Sequence, residues 1–180
     1  MTNSRVKVAV GMSGGVDSSV AAYLLTESGY EVKGIFMKNW EEDDSDECSS
    51  KEDYEDARRV CKHLGIELNL VNFSDKYWTN VFETFIEELK KGFTPNPDVF
   101  CNKEIKFKQY YDYAMSLDFD LIATGHYARK ENISDPELHI PKDIIKDQTY
   151  FLYMMKEDVL RNTLFPLEQL NKDELSLIHI

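Results

Sequence analysis

The sequence predicts an α/β fold, a Rossmann-like, open and mostly parallel sheet with helices on both faces. Three observations carry that expectation. Short, β-branched apolar runs alternate with stretches of helical periodicity along the chain. The first run, Val6–Val10, breaks into Gly11-Met12-Ser13-Gly14-Gly15 and then into a helical pattern from Asp17. The length, 180 residues at 42% hydrophobic and 12% aromatic, suits one good-sized domain around a real core.

Taken in order, Val6, Val8 and Val10 suit a buried first strand. The glycine turn and the helix after it have the geometry of a phosphate cradle. Glycines let backbone N–H groups close on an anion, and the first-turn amides add partial positive charge. Asp17 or Ser18 is expected to cap that helix as well. Gly29 stops it, and Glu31–Met37 reads as a second buried strand. Residues 38–50 are acidic and read as a solvated connector. Lys51–Leu64 carries Tyr54, Ala57, Val60, Cys61 and Leu64 at helical spacing, which places Cys61 in the core. Glu67–Phe73 is a third strand. Ser74 is expected to cap a long helix, 75–91, whose Tyr77, Trp78, Val81, Phe82, Phe85, Ile86 and Leu89 read as a buried face.

Gly92 ends that helix, and Thr94-Pro95-Asn96-Pro97-Asp98 makes a stiff approach to the next, 99–117. Cys101 is expected in its first turn, where the helix end and Lys103 would favour thiolate over thiol. Leu121–Thr124 is a fourth strand, ending in Gly125-His126-Tyr127. Ligands of open parallel sheets bind beyond the carboxyl ends of the strands. Residues 11–18, Met37 and Gly125 should therefore converge on one crevice. His126 reads as a hydrogen-bonded structural residue rather than a proton carrier. Residues 129–145 read as a hairpin or excursion, and Lys146–Tyr153 opens an amphipathic stretch.

Composition narrows the classes further. No apolar run approaches the ~20 residues of a membrane span, and the first strand begins too early to leave room for a signal or transit peptide. Three scattered cysteines with no C-x-x-C pair argue for a reducing, cytoplasmic setting and against a zinc site or disulfide scaffold. A net charge of −12 weighs against a nucleic-acid partner, although lysines cluster at Lys90-Lys91 and at Lys103, Lys106 and Lys108.

The turn is neither a Walker loop, which needs a lysine, nor the dinucleotide fingerprint. Ser13-Gly14-Gly15-Val16-Asp17-Ser18 instead resembles the SGGxDS loop of the N-type ATP pyrophosphatases, the PP-loop family. With TPNPDVFCNKEIKF, ATGHYAR, KDQTYFLY and FMKNWEEDD beside it, the chain resembles more narrowly the bacterial tRNA-specific 2-thiouridylases, over residues 6–174.

The resemblance implies an adenylation domain, 1–174, that uses ATP with Mg²⁺. Gly11, Met12, Ser13, Gly14, Gly15, Val16, Asp17 and Ser18 would bind the ATP phosphates, and Met37 and Gly125 the nucleoside. Asn96, Pro97 and Asp98 would meet the wobble uridine of tRNA, and Lys146, Asp147 and Gln148 would touch the tRNA. Asp98 would orient or exchange protons, and Cys101 would act as nucleophile; no residue is assigned to a metal. The uridine C2 oxygen would be adenylated, then displaced by sulfur from a persulfide donor or sulfur-relay protein. The family's persulfide cysteine and its carboxyl-terminal tRNA-binding domains have no counterpart in residues 1–180, so the chain is expected to bind ATP without completing thiolation alone. Residues 175–180, Leu-Ser-Leu-Ile-His-Ile, break the charged helical pattern before them and are expected to be a non-native tail. Two other readings stay open. One is a PP-loop enzyme that adenylates a different acceptor, such as a tRNA lysidine synthetase or an amidotransferase-type synthetase, which has no need of Cys101. The other is a non-catalytic ATP-binding module.

Overall fold

The first strand, β1 (Lys7–Met12), is buried from Val8 onward, and everything else is layered about it. In a computed structural model of the chain, residues 5–40, 49–132 and 134–175 are described. Five parallel strands lie in the order β3-β2-β1-β4-β7: β2 is Glu31–Lys38, β3 Leu68–Asn72, β4 Leu121–Ala123 and β7 Thr163–Leu164. Val10 stands in register with Gly34 on one side and Ala123 on the other. Strand alternation sends successive β1 side chains to opposite layers. Val8, Val10 and Met12 pack on one face with Ala22 and Leu25 of α1 (Val16–Glu27) and with Ala57 and Cys61 of α2 (Ser49–Leu64). Ala9 faces the other layer, with Ile105, Tyr110 and Ala114.

That second layer is built from two composite helices. The first runs through α3 (Ser74–Tyr77), a π-helical segment (Trp78–Phe82) and α4 (Glu83–Lys90). The second runs through α5 (Pro97–Cys101), a longer π-helical segment (Asn102–Gln109) and α6 (Tyr110–Ser116). Tyr110 is fully buried, and its hydroxyl donates to the carbonyl oxygens of Ala9, at 2.7 Å, and Ala123, at 3.3 Å. One side chain thereby ties β1 and β4 together just below the ends from which their loops depart.

Several expectations are corrected here. Ser74 does not cap the third helix but is its first residue; Asn72 Oδ1 accepts from both the Ser74 amide, at 2.9 Å, and its hydroxyl. The apolar face of that helix is not a core face throughout: Val81 is fully buried, whereas Trp78 is 51% and Leu89 45% exposed. A π-helical turn takes more residues than an α-helical one, so positions spaced for a 3.6-residue period rotate off the sheet after Trp78. The exposed Trp40 and Trp78 pack on half-buried neighbours instead, Trp40 on Tyr77 and Trp78 on Phe82. The strand β7 was not anticipated, since two residues carry no periodicity.

Residues 129–145 include an antiparallel pair, β5 (Arg129–Glu131) and β6 (Glu137–His139). The stretch from Lys146 is a turn followed by one 3₁₀ turn, Thr149–Leu152. Two short helices follow, α7 (Glu157–Arg161) and α8 (Lys172–Leu175). Leu175 is fully buried with Val20, Ala21 and Tyr127, while residues 176–180 and most of the acidic connector lie outside the described residues.

Tyr110→Phe removes a buried hydroxyl that closes the β1–β4 junction. It should lower unfolding stability by about 1–2 kcal/mol without changing the fold, read as a lower denaturant midpoint at unchanged slope.

Candidate functional site

The loop from β1 into α1 is shaped by its own small polar side chains. Gly14 has φ of +83°, and a Cβ on it would stand 2.4 Å from the Asp53 carbonyl oxygen, so α2 leaves room for glycine alone. Ser18 Oγ accepts from the Ser13 amide, at 3.2 Å, and donates to the Gly15 carbonyl, at 3.0 Å; Ser13 Oγ accepts from the Gly15 amide. Capping by Asp17 or Ser18 is corrected: the N-cap is Gly15, and no side chain takes the first-turn amides. Ser18 is spent on holding the loop, and Asp17 is spent elsewhere. Its carboxylate accepts from Tyr127 Oη and forms an ion pair with Lys172 of α8.

At the end of β4, Gly125 lies against the start of α1. A Cβ on Gly125 would sit 2.8 Å from the carbonyl carbon of Asp17 and from the Ser18 nitrogen. Between these two loops lies a cavity of about 200 Å³. Gly11, Met12, Ser13, Asp17 and Ser18 form one wall, and Met37 and Gly125 also line it. The crevice expected at the carboxyl ends of the strands is present, and these residues meet in it. Gly14, Gly15 and Val16 belong to the same turn but are not in its wall.

Sequence reasoning missed Lys106 and Thr124, and it did not assign His126 to the cavity wall. Lys106 stood out only as one of three clustered lysines, and the π-helical segment that directs it here has no signature in residue spacing. Of the Lys146–Gln148 trio, the structure brings Gln148 to the cavity wall. Its side-chain oxygen accepts from the Tyr127 amide at 2.9 Å, and its own amide donates to the Tyr127 carbonyl at 2.9 Å. Lys146 is exposed, and Asp147 accepts from the amide and hydroxyl of Thr149.

Asn96 caps α5, its side-chain oxygen accepting from the amides of Asp98, at 2.9 Å, and Val99. Pro97 is the first residue of the helix, where a missing N–H costs nothing. The helix thus starts two residues earlier than expected. Cys101 accordingly sits beyond the first turn, which weakens the pull of the helix end. Its thiol is half-buried beside the second core layer, and the expected thiolate is corrected. Burial pushes its pKa up; the nearby cation that opposes this is Lys106 rather than Lys103, and the Asp98 carboxylate adds to the rise. Cys101 does not line the cavity, but Lys106 does, so the two features share one charged residue. Cys61 is buried in the opposite layer, its thiol pushed up to about 11 by burial alone. Cys48 lies outside the described residues. Among the described residues no cluster of three or more His, Cys, Asp or Glu could hold a metal ion.

The chain is similar to known proteins over nearly its whole length. The chain is 55% identical over 181 residues to the tRNA-specific 2-thiouridylase MnmA of Idiomarina loihiensis, and 55% over 177 residues to that of Pseudomonas putida. These matches take in 99% and 97% of the chain but 49% and 47% of those proteins, so the chain spans about half the length of the curated relatives it matches. Among solved structures, the U34-tRNA thiolase NcsA of Methanococcus maripaludis, with its [4Fe-4S] cluster, superimposes with a TM-score of 0.59 at 26% identity, over 96% of the chain and 54% of NcsA. A 4-thiouridine synthetase in complex with RNA and ATP shares the fold, at a TM-score of 0.55 and 16% identity over 94% of the chain and 39% of its own. The family model described as the tRNA methyl transferase HUP domain matches residues 6–178, and the chain belongs to that family.

Proposed function

We propose that the chain is the ATP-using, adenylating part of a tRNA-uridine 2-sulfurtransferase. The observation that carries this is the single cavity in which the SGGxDS turn, Met37 and Gly125 meet, with a thiol on the next helix under the field of a cavity lysine. The relatives named tRNA-specific 2-thiouridylases support a uridine of tRNA as the acceptor, and in our reading that uridine is the one at the wobble position.

In this reading the turn receives the β- and γ-phosphates of ATP, and Met37 and Gly125 flank the nucleoside. The uridine C2 oxygen attacks the α-phosphorus, pyrophosphate departs into the turn, and the base is left carrying AMP. Sulfur then adds at C2, and AMP leaves with the original oxygen. A carbonyl oxygen is a poor leaving group, and adenylation makes it a good one. Asn96, Pro97 and Asp98 meet the base, Asp98 orienting it. Lys146, Asp147 and Gln148 meet the tRNA. The Cys101 thiolate attacks the inner sulfur of an incoming persulfide: a disulfide forms between Cys101 and that sulfur, the old S–S bond breaks, and the outer sulfur leaves with its electrons as sulfide, free to add at C2. Mg²⁺ fits only as a companion of the phosphates, because the cavity wall offers one carboxylate, Asp17, already engaged by Lys172. No described helix is long and apolar enough to cross a membrane, and the reading places the chain in the cytoplasm with tRNA and a persulfide donor as partners. Methyl transfer, which the family description names, finds less support: a polyphosphate-shaped turn has no part in it.

Three outcomes follow. The chain should catalyse ATP–pyrophosphate exchange in the presence of tRNA, and Gly14→Ala, strained at φ +83° and blocked by Asp53, should abolish both exchange and ATP binding. Absence of ATP binding by the unmodified, folded chain would sink the reading. Cys101→Ser should leave ATP affinity unchanged and eliminate 2-thiouridine formation by the full-length protein. Because burial raises the Cys101 thiol, its alkylation by iodoacetamide should climb with pH along a curve displaced above that of free cysteine, as followed by mass spectrometry. A midpoint at or below the free-cysteine value would contradict the burial argument.

A further inference from the structure

A charged group reaches the cavity from the other face of the sheet, and a buried histidine explains where it stands. His126 is 8% exposed, with Nδ1 2.9 Å from Thr124 Oγ1 and Nε2 3.4 Å from Lys106 Nζ. An ammonium has protons to give and no lone pair to receive one, so Nε2 is the bare, accepting nitrogen. Nδ1 then carries the ring proton and donates to Thr124. Burial first, and the Lys106 charge second, hold the imidazole well below its ordinary pKa, so it is neutral. The Phe107 ring, 5.7 Å away, fixes its other side. With both nitrogens engaged, the imidazole has no proton to deliver to a ligand, and what it does is hold the lysine.

Lys106 is the one cation among the residues that line the cavity, and it forms no ion pair among the described residues. The one carboxylate in that wall, Asp17, is neutralised by Lys172. Among the described residues, the cavity wall therefore presents an uncancelled positive charge, in a chain whose net charge is −12. Lys106 arrives with Ile105 and Phe107 of the second core layer, whereas the glycine turn leads into α1 on the first. An anion lodged in the turn would meet Lys106 from across the sheet.

We propose that Lys106 is a phosphate-contacting residue of this cavity, set in place by His126 and Thr124 as positioning residues, and that it clamps the phosphate chain of the nucleotide against the glycine turn. The proposal rests on the reading of the cavity as an ATP site and names the cation that site uses. A hydrogen bond to a charged partner is stronger than a neutral one, and its loss is felt in affinity rather than in folding when the donor is half-exposed.

The test is calorimetric titration of the 180-residue chain with inorganic pyrophosphate, ATP and adenosine, with thermal melts to establish that each variant is folded. Lys106→Met should weaken pyrophosphate and ATP about tenfold to a hundredfold and leave adenosine untouched; Lys106→Arg should stay within a few-fold of the unmodified chain. His126→Leu should weaken the same two ligands, His126→Gln should restore much of the loss through its side-chain oxygen, and adding His126→Leu to Lys106→Met should cost nothing more. Wild-type-like pyrophosphate and ATP binding by folded Lys106→Met would overturn the proposal while leaving the ATP reading intact. An equal loss for adenosine would also overturn it, since that marks a damaged pocket rather than a missing phosphate contact. Failure of the unmodified chain to bind ATP or pyrophosphate would overturn both.

Discussion

The cavity exists because two stretches of backbone meet. β1 and β4 are neighbours in the sheet, and the loop leaving β4 touches the start of the helix that leaves β1, so closely that Gly125 has no space for a side chain. Parallel strands send their carboxyl ends the same way, and helices on both faces prevent the loops from collapsing onto the sheet. The Tyr110 hydroxyl, reaching the carbonyls of Ala9 and Ala123 from the second layer, locks that junction from beneath. Every residue assigned a role in the cavity depends on this approach.

Charge is managed locally rather than over the whole molecule. A chain carrying −12 is a poor host for a polyphosphate on average, since it repels at long range. The cavity wall reverses that balance at short range, where the field is decided by individual partners. Lys172, 155 residues from Asp17, removes the one negative charge, and neutral His126 leaves the Lys106 charge intact. Among the described residues, Asp17 is the one carboxylate that lines the cavity. The same lysine opposes the burial penalty on Cys101, so the anion site and the thiol are electrostatically connected although the thiol is not in the cavity wall.

Much of this was legible in the amino-acid order. The glycine turn, four of the five strands of the parallel sheet, the covering helices and the core placement of Cys61 all follow from periodicity and from residues with narrow backbone preferences. The misreadings have a common origin. Apolar spacing after Trp78 assumes a 3.6-residue turn, and the π-helical segment breaks that assumption, leaving Trp78 and Leu89 in solvent. The ionisation of Cys101 was read from helix position and the nearest lysine in sequence. Burial and a different lysine govern it: burial is set by the second core layer, and which of the nearby lysines faces the thiol is set by the course of the π-helical segment.

Local chemistry sets which stretches extend, which coil and where the backbone must turn left-handed, because those preferences act over a few bonds. It also names the turn that can cradle an anion. Which charges survive in the finished cavity is a matter of packing: Asp17 finds Lys172, Lys106 finds His126, and Gln148 finds the backbone of Tyr127 only once the sheet has closed. Contacts between residues tens to more than a hundred positions apart depend on distance in space and on exclusion of water, and no reading of adjacent letters contains either.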